Sequence, residues 1–143
     1  MTSGTAVSVG DPGVARLLAA YDAAFAADRA DEVAALFAED ARLQWPEEED
    51  IVGREAIREA FTAFVDEFHT VAWEPSYQLV EVHGDQAFLL GRFVERREVR
   101  RTGELERVPG RLVLVCRREA DGAWRITHAM TSRYGETTVE AGA

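Results

Sequence analysis

The chain contains no lysine, and all 16 of its basic residues are arginine. Every mechanism that runs through a lysine Schiff base or a lysine general base is thereby excluded. Cysteine occurs once, as Cys116, next to the apolar run Leu112 to Val115. With no second thiol, an intrachain disulfide and a cysteine-based metal site are both ruled out, and Cys116 reads as a small buried strand residue. No apolar run approaches the roughly 20 residues that span a bilayer. Met1 to Gly10 has neither a basic n-region nor an apolar h-region, so the chain is expected in the cytoplasm and away from membranes. No nucleotide, flavin or metal motif is present, and the three histidines are not spaced as a ligand set, so no cofactor and no metal are expected.

What is present is acidic. The formal net charge is −10, with 15 acids and five arginines before Val71 and 11 of each from there on. A net negative field disfavours nucleic acid as a partner, because such affinity comes largely from phosphate neutralisation by cationic side chains.

At 143 residues and 47% hydrophobic, the chain fits one domain. Small and polar residues at 1–10 and 135–143 predict flexible ends around a single domain over 11–134. Asp11-Pro12 opens a helix to about Ala27, with the stripe Val14, Leu17, Leu18, Tyr21 and Phe25. Asp31 is placed to cap a short second helix carrying Val33, Leu36 and Phe37, and Ala41 to Trp45 alternates as a strand that Pro46 ends. Gly53 precedes a third helix, whose stripe of Ile57, Phe61, Phe64, Val65 and Phe68 is rich in aromatics.

From Val71 the period changes to two. Four strands are predicted, over about 71–82, 86–99, 108–119 and 123–134, with turns at His83-Gly84-Asp85, Thr102-Gly103 and Asp121-Gly122. Three helices followed by an antiparallel meander define an α+β class, with the helices on one face of the sheet.

Certain blocks carry a resemblance: Tyr21 and Phe25, Ala35-Leu-Phe-Ala-Glu-Asp-Ala41, Gly53-Arg-Glu-Ala-Ile57, and Asp121-Gly-Ala-Trp-Arg-Ile126. Their order over about residues 11 to 134 resembles the nuclear-transport-factor-2-like superfamily, in particular its SnoaL-like and SgcJ/EcaC-type bacterial branch. The resemblance implies three helices closing a strongly curved antiparallel sheet into a cone with an internal cavity, and a homodimer through the convex sheet face. It also implies bacterial secondary metabolism, with a hydrophobic polyketide or enediyne intermediate as ligand and a biosynthetic enzyme as a further partner. Relatives include isomerases, cyclases, dehydratases and non-catalytic assembly modules, so fold alone does not settle function.

Tyr21 matches the helix-one tyrosine that donates to an oxyanion in the ketosteroid isomerases. The match ends there, because the general-base aspartate of that family corresponds here to Trp45 before Pro46. The last strand holds no carboxylate, and His128 is its only acid–base candidate. Strict alternation puts Trp124, Ile126, His128, Met130 and Ser132 on one face, taken as the buried one. His128 then points toward the helices, either as a proton-transfer group or as a hydrogen-bonded core residue. Arg92 shares a side with Phe88 and Leu90, and is a carbonyl clamp if that side faces the cavity or a surface charge if it does not.

The resulting candidate set has Tyr21, His128 and Arg92 as catalytic residues and Phe25, Trp45, Phe61 and Met130 as the ligand-binding wall of a cofactor-free proton-transfer or cyclisation site. The runs Glu47-Glu-Glu-Asp50 and Glu95 to Glu104 read as solvated charge, the latter as a hairpin tip.

Overall fold

The computed structural model describes residues 9–140. Helix α1 spans Pro12–Ala26. Asp11 caps it, its carboxylate accepting from the backbone N–H of Gly13 at 2.9 Å and Val14 at 3.0 Å, while Pro12 sits where no helix bond is lost. Val14, Leu17, Leu18 and Phe25 form its buried face. The helix approaches the sheet closely at Gly13, where a Cβ would lie 2.5 Å from the Trp124 ring.

Helix α2 is Ala30–Ala35 and α3 is Arg54–Glu67, with strands β1 (Phe37–Gln44) and β2 (Ile51–Val52) between them. Gly53 adopts φ +94 before α3, a conformation glycine takes at little cost. Four long strands follow: β3 (Phe68–His83), β4 (Gln86–Val99), β5 (Leu105–Arg118) and β6 (Trp124–Arg133). A two-residue β7, Thr138–Val139, completes the sheet.

The strand order is β2-β1-β6-β5-β4-β3, with β7 added to β5. All pairings are antiparallel except β1 with β6, which are parallel. The helices pack on the inner face, over a core of Phe37, Leu43, Ile57, Phe61, Leu89 and Ile126, each at most 2% exposed. Extra residues at Val71 and Gln78 in β3 and at Thr127 in β6 shift the register. Such bulges bend a strand and increase its twist, which curves the sheet around the helices. This is the α+β architecture expected from the sequence.

Local boundaries differ in instructive ways. Helix α2 begins one residue before Asp31, so Asp31 lies in its first turn and Arg29 occupies the cap position without a side-chain capping bond. Phe37 belongs to β1, because its backbone pairs with Ile126. Phe68 opens β3 and does not extend α3.

The flexible segments expected at 1–10 and 135–143 fall partly outside the described residues. Within them, β7 pairs Val139 with Glu106, and both Glu140 carboxylate oxygens accept from Arg96 at 2.8 Å. Among the described residues no helix is long and apolar enough to cross a membrane.

Candidate functional site

Between α1, α3, the loop after β1 and the inner faces of β3 to β6 lies a pocket of about 380 Å³. Its wall is rich in aromatic rings because α1 and α3 each turn a ring-bearing stripe toward the same space. Phe25 lies 4.6 Å from Trp73, and Trp73 lies 4.8 Å from Phe93, centroid to centroid. Trp45, from the loop after β1, meets Phe61 edge-on at 5.1 Å. Gly110 makes room for this wall, since a Cβ there would collide with the Phe93 ring.

Polar side chains interrupt the rings. Tyr21 of α1 lines the pocket, and its phenol is held well above the ordinary range by burial and then by the charges of Asp22 and Glu95. Asp22 accepts from Trp73 Nε1 at 2.8 Å, and burial raises its carboxyl against the opposing effect of that bond.

Glu95 of β4 is 4% exposed and borders the same pocket. Its Oε1 forms an ion pair with Arg97 Nη1 at 3.5 Å, the outer limit of a hydrogen bond, and its Oε2 has no hydrogen-bond partner among the described residues. Burial pushes this carboxyl up to about 7; the charges of Asp28 and Glu106 add to the rise, and Arg97 opposes it. Arg97 donates from Nε to Glu106 at 2.9 Å and stacks 3.8 Å above the Phe68 ring. A carboxyl that changes charge near neutral pH, in an apolar wall beside a phenol donor, has the properties of a general acid or base.

The sequence-derived candidates divide into two groups. Tyr21, Phe25, Trp45 and Phe61 line the pocket together. His128, Met130 and Arg92 lie on the opposite, outer face of the sheet, which corrects the expected orientation of His128 and Met130 and takes the surface-charge alternative for Arg92. In β6 the cause is the bulge at Thr127: Ile126 pairs with Cys116 and His128 with Val115, so one residue is unmatched. Trp124 and Ile126 face inward as expected, but beyond the bulge Ala129 and Thr131 take the inward positions. His128 and the 45%-exposed Met130 then face a shallow outer groove with Arg42 and Gln44. The His128 ring meets the Thr127 hydroxyl at 3.1 Å.

Arg92 follows Phe88 and Leu90 to that same outer side, where its guanidinium lies 4.7 Å from the Tyr134 ring. Glu95 and Arg97 are the residues that sequence reasoning missed, having been read as part of a solvated tip. The available signal was the opposite phase of the strand: Leu89, Gly91 and Phe93 are two residues apart from one another, and continuing that step reaches Glu95 and Arg97.

Cys116 is fully buried in β5, and desolvation pushes its thiol up to about 12. Among the described residues no group of three or more His, Cys, Asp or Glu side chains is arranged to hold a metal ion.

Helices closing one face of a bent sheet over a polar-lined aromatic pocket define the cone-shaped α+β class. The family model of the SnoaL-like domain matches residues 13–130, and the chain belongs to that family. Solved structures share the fold. A ketosteroid isomerase-like protein from Erwinia carotovora atroseptica superposes with a TM-score of 0.80 at 19% identity, covering 87% of this chain and 95% of that one. A nuclear transport factor 2-like superfamily protein from Salmonella enterica gives 0.74 at 17% identity, covering 91% and 94%. A candidate scytalone dehydratase from Novosphingobium aromaticivorans gives 0.73 at 16% identity, covering 92% and 87%. A search of curated proteins finds no match.

Proposed function

We propose that the pocket binds a hydrophobic small molecule and carries out cofactor-free proton transfer on it, with Glu95 moving the proton and Tyr21 donating to the developing oxyanion. The observation that carries this reading is the buried Glu95 with one unpartnered carboxylate oxygen in a wall rich in aromatic rings. Isomerisation, dehydration and cyclisation all need such a pair of groups, and two of the structural relatives bear isomerase-like and dehydratase names. The SnoaL-like family membership supports a place in bacterial secondary metabolism, in the cytoplasm, on a polyketide-like intermediate of the kind handled by the SgcJ/EcaC-type branch.

The test needs no knowledge of the natural substrate. The ring opening of 5-nitrobenzisoxazole reports any carboxylate base in an apolar site, because removal of one carbon-bound proton releases a coloured phenolate. The expected rate rises with pH through a midpoint of about 7. It drops by about 10² or more in Glu95→Gln, the usual contribution of a positioned base. An undiminished rate in that variant would refute the assignment.

The outer sheet face supports a second proposal, a homodimer. Arg42, His128, Val115, Phe88 and Glu81 form one cross-strand row, and Gln44, Met130, Val113, Leu90 and Leu79 form the next. Phe88 and Leu90 are 41% and 45% exposed. A two-fold axis parallel to the strands sets the cationic end of the first row over the anionic end of its copy, with apolar residues between. This surface also suits the alternative of a non-catalytic assembly module, docked on a biosynthetic enzyme. Sedimentation should show a dimer that Leu90→Arg converts to a monomer; a monomeric parent chain rejects the interface. Loss of ring opening with an intact dimer would favour the assembly reading.

A further inference from the structure

The inner end of the pocket is short of positive charge. Glu95 and Glu106 share the single guanidinium of Arg97, and that cation is already stacked on Phe68. Other titratable groups around this end of the pocket come from several elements. Tyr21 and Asp22 are on α1, Asp28 follows α1, and Asp28 is in turn bonded to His69 at 2.6 Å and Arg100 at 3.4 Å. Glu48 and Glu67, both exposed, also border the pocket, neither of them in an ion pair among the described residues. The one other cation in the wall, Arg133, is 3.7 Å from Glu47 and donates to Thr137 at 3.0 Å. Each arginine in the wall is thus engaged, while Glu95 keeps an unpartnered oxygen at 4% exposure.

The pocket that Glu95 borders is rich in rings. Tyr21, Phe25, Phe64, Trp73 and Phe93 border the same pocket as Glu95. Aromatic rings attract a cation through the negative charge of their faces, most strongly where water is excluded. A carboxylate that shares its cation with Glu106 and keeps one unpartnered oxygen, in a pocket bordered by rings and by further carboxylates, is complementary to a protonated amine or a protonated nitrogen heterocycle. It is unfavourable to a carboxylate or phosphate ligand, which would meet Glu95, Glu48 and Glu67 with like charge.

We propose that the ligand of this pocket is a planar, largely apolar molecule bearing a protonated nitrogen, with Glu95 as its counter-ion and the surrounding rings as its cation–π partners. The inference rests on the reading of the pocket as a ligand site and narrows the substrate class within it. It also links binding to protonation. The empty pocket holds Glu95 largely protonated in mildly acidic solution, and the arriving cation displaces that proton. Glu95 is then ionised, and able to accept a carbon-bound proton, in the loaded pocket.

The experiment titrates the full-length chain calorimetrically with a matched pair of probes, 2-naphthylmethylamine and 2-naphthylmethanol, at pH 6 and pH 8. The amine is expected to bind at least tenfold more tightly than the alcohol at pH 8. At pH 6, titration in two buffers of different ionisation enthalpy should show nearly one proton released per amine bound and none per alcohol. Glu95→Gln should bring the two affinities within about twofold and abolish the proton release, while leaving alcohol binding intact. Because proton release is read on the parent chain, it stands even if the variant folds poorly.

Equal or tighter binding of the alcohol, or amine binding without proton release, overturns the inference. In that case the ring opening of 5-nitrobenzisoxazole would still be observed, and the proton-transfer function would survive without the cationic ligand. If neither probe binds and ring opening is also absent, both proposals fall.

Discussion

Glutamine in place of Glu95 should make the protein more stable at neutral pH while depriving it of its proposed proton acceptor. The carboxyl is carried from an ordinary value near 4.5 to about 7 by burial beside Asp28 and Glu106. Below pH 4.5 the group is protonated in both the folded and the unfolded chain, and the native state bears no penalty. Between 4.5 and 7 the unfolded chain gives up its proton first, so stability falls as pH rises, by about 3 kcal/mol once the native carboxyl has ionised. Glutamine has nearly the same shape, retains an acceptor oxygen for Arg97, and never ionises. The variant and the parent should therefore be about equally stable at pH 4.5 and diverge to about 3 kcal/mol in the variant's favour at pH 8. For a chain of this length that corresponds to roughly 10 °C in melting temperature. Urea unfolding at half-unit pH steps, with m-values compared to exclude a change in the unfolded state, gives the difference directly. A gap that does not change with pH would show that Glu95 does not titrate in this window, and the general-base assignment would lose its physical basis. A gap of the expected form means that the fold tolerates a destabilising charge at its pocket, the usual signature of a functional group.

Other parts of the structure make further predictions. Gly110→Ala drives a methyl group into the Phe93 ring and should cost about 1–3 kcal/mol in urea unfolding; a neutral result would mean that the ring is free to move aside. Asp11→Ala removes both N-cap bonds of α1 and should cost about 1 kcal/mol. Cys116, buried with its thiol pushed up to about 12, should react with a disulfide reagent only at the rate of unfolding, and rapid labelling of the native chain would contradict its burial. His128→Ala, a change on the outer face, should leave 5-nitrobenzisoxazole ring opening within twofold of the parent rate. A large loss would return His128 to the site.

The fold was legible because its signals are local. Asp11-Pro12 and Gly53 mark two helix starts, the aromatic stripes of α1 and α3 repeat at helical spacing, and the turns at Gly84 and Asp121-Gly122 separate strands of clear two-residue period. The aromatic part of the pocket followed from the same stripes. Its polar part did not, for two reasons. The extra residue at Thr127 has no compositional signature, and period counting carried across it reverses the direction of every later side chain in β6. In β4, Glu95 and Arg97 sit in a run of alternating charge that on most proteins is solvated. Burial there depends on side chains distant in sequence, such as Tyr21 near Glu95 and Phe68 under Arg97, tertiary neighbours that local pattern does not encode.

The single unmatched residue in β6 acts as a parity switch. Ahead of it the even-numbered residues Trp124 and Ile126 look into the cone, and after it the odd-numbered Ala129 and Thr131 do so. Removing Thr127 would exchange the two sets downstream, bringing a histidine and a methionine inside and sending an alanine and a threonine out. The chemistry of the pocket wall is thus governed by a count as well as by residue type. A one-residue change in length can remake this wall with no substitution at all, and a new catalytic group grafted onto this strand belongs at an odd-numbered position such as Thr131.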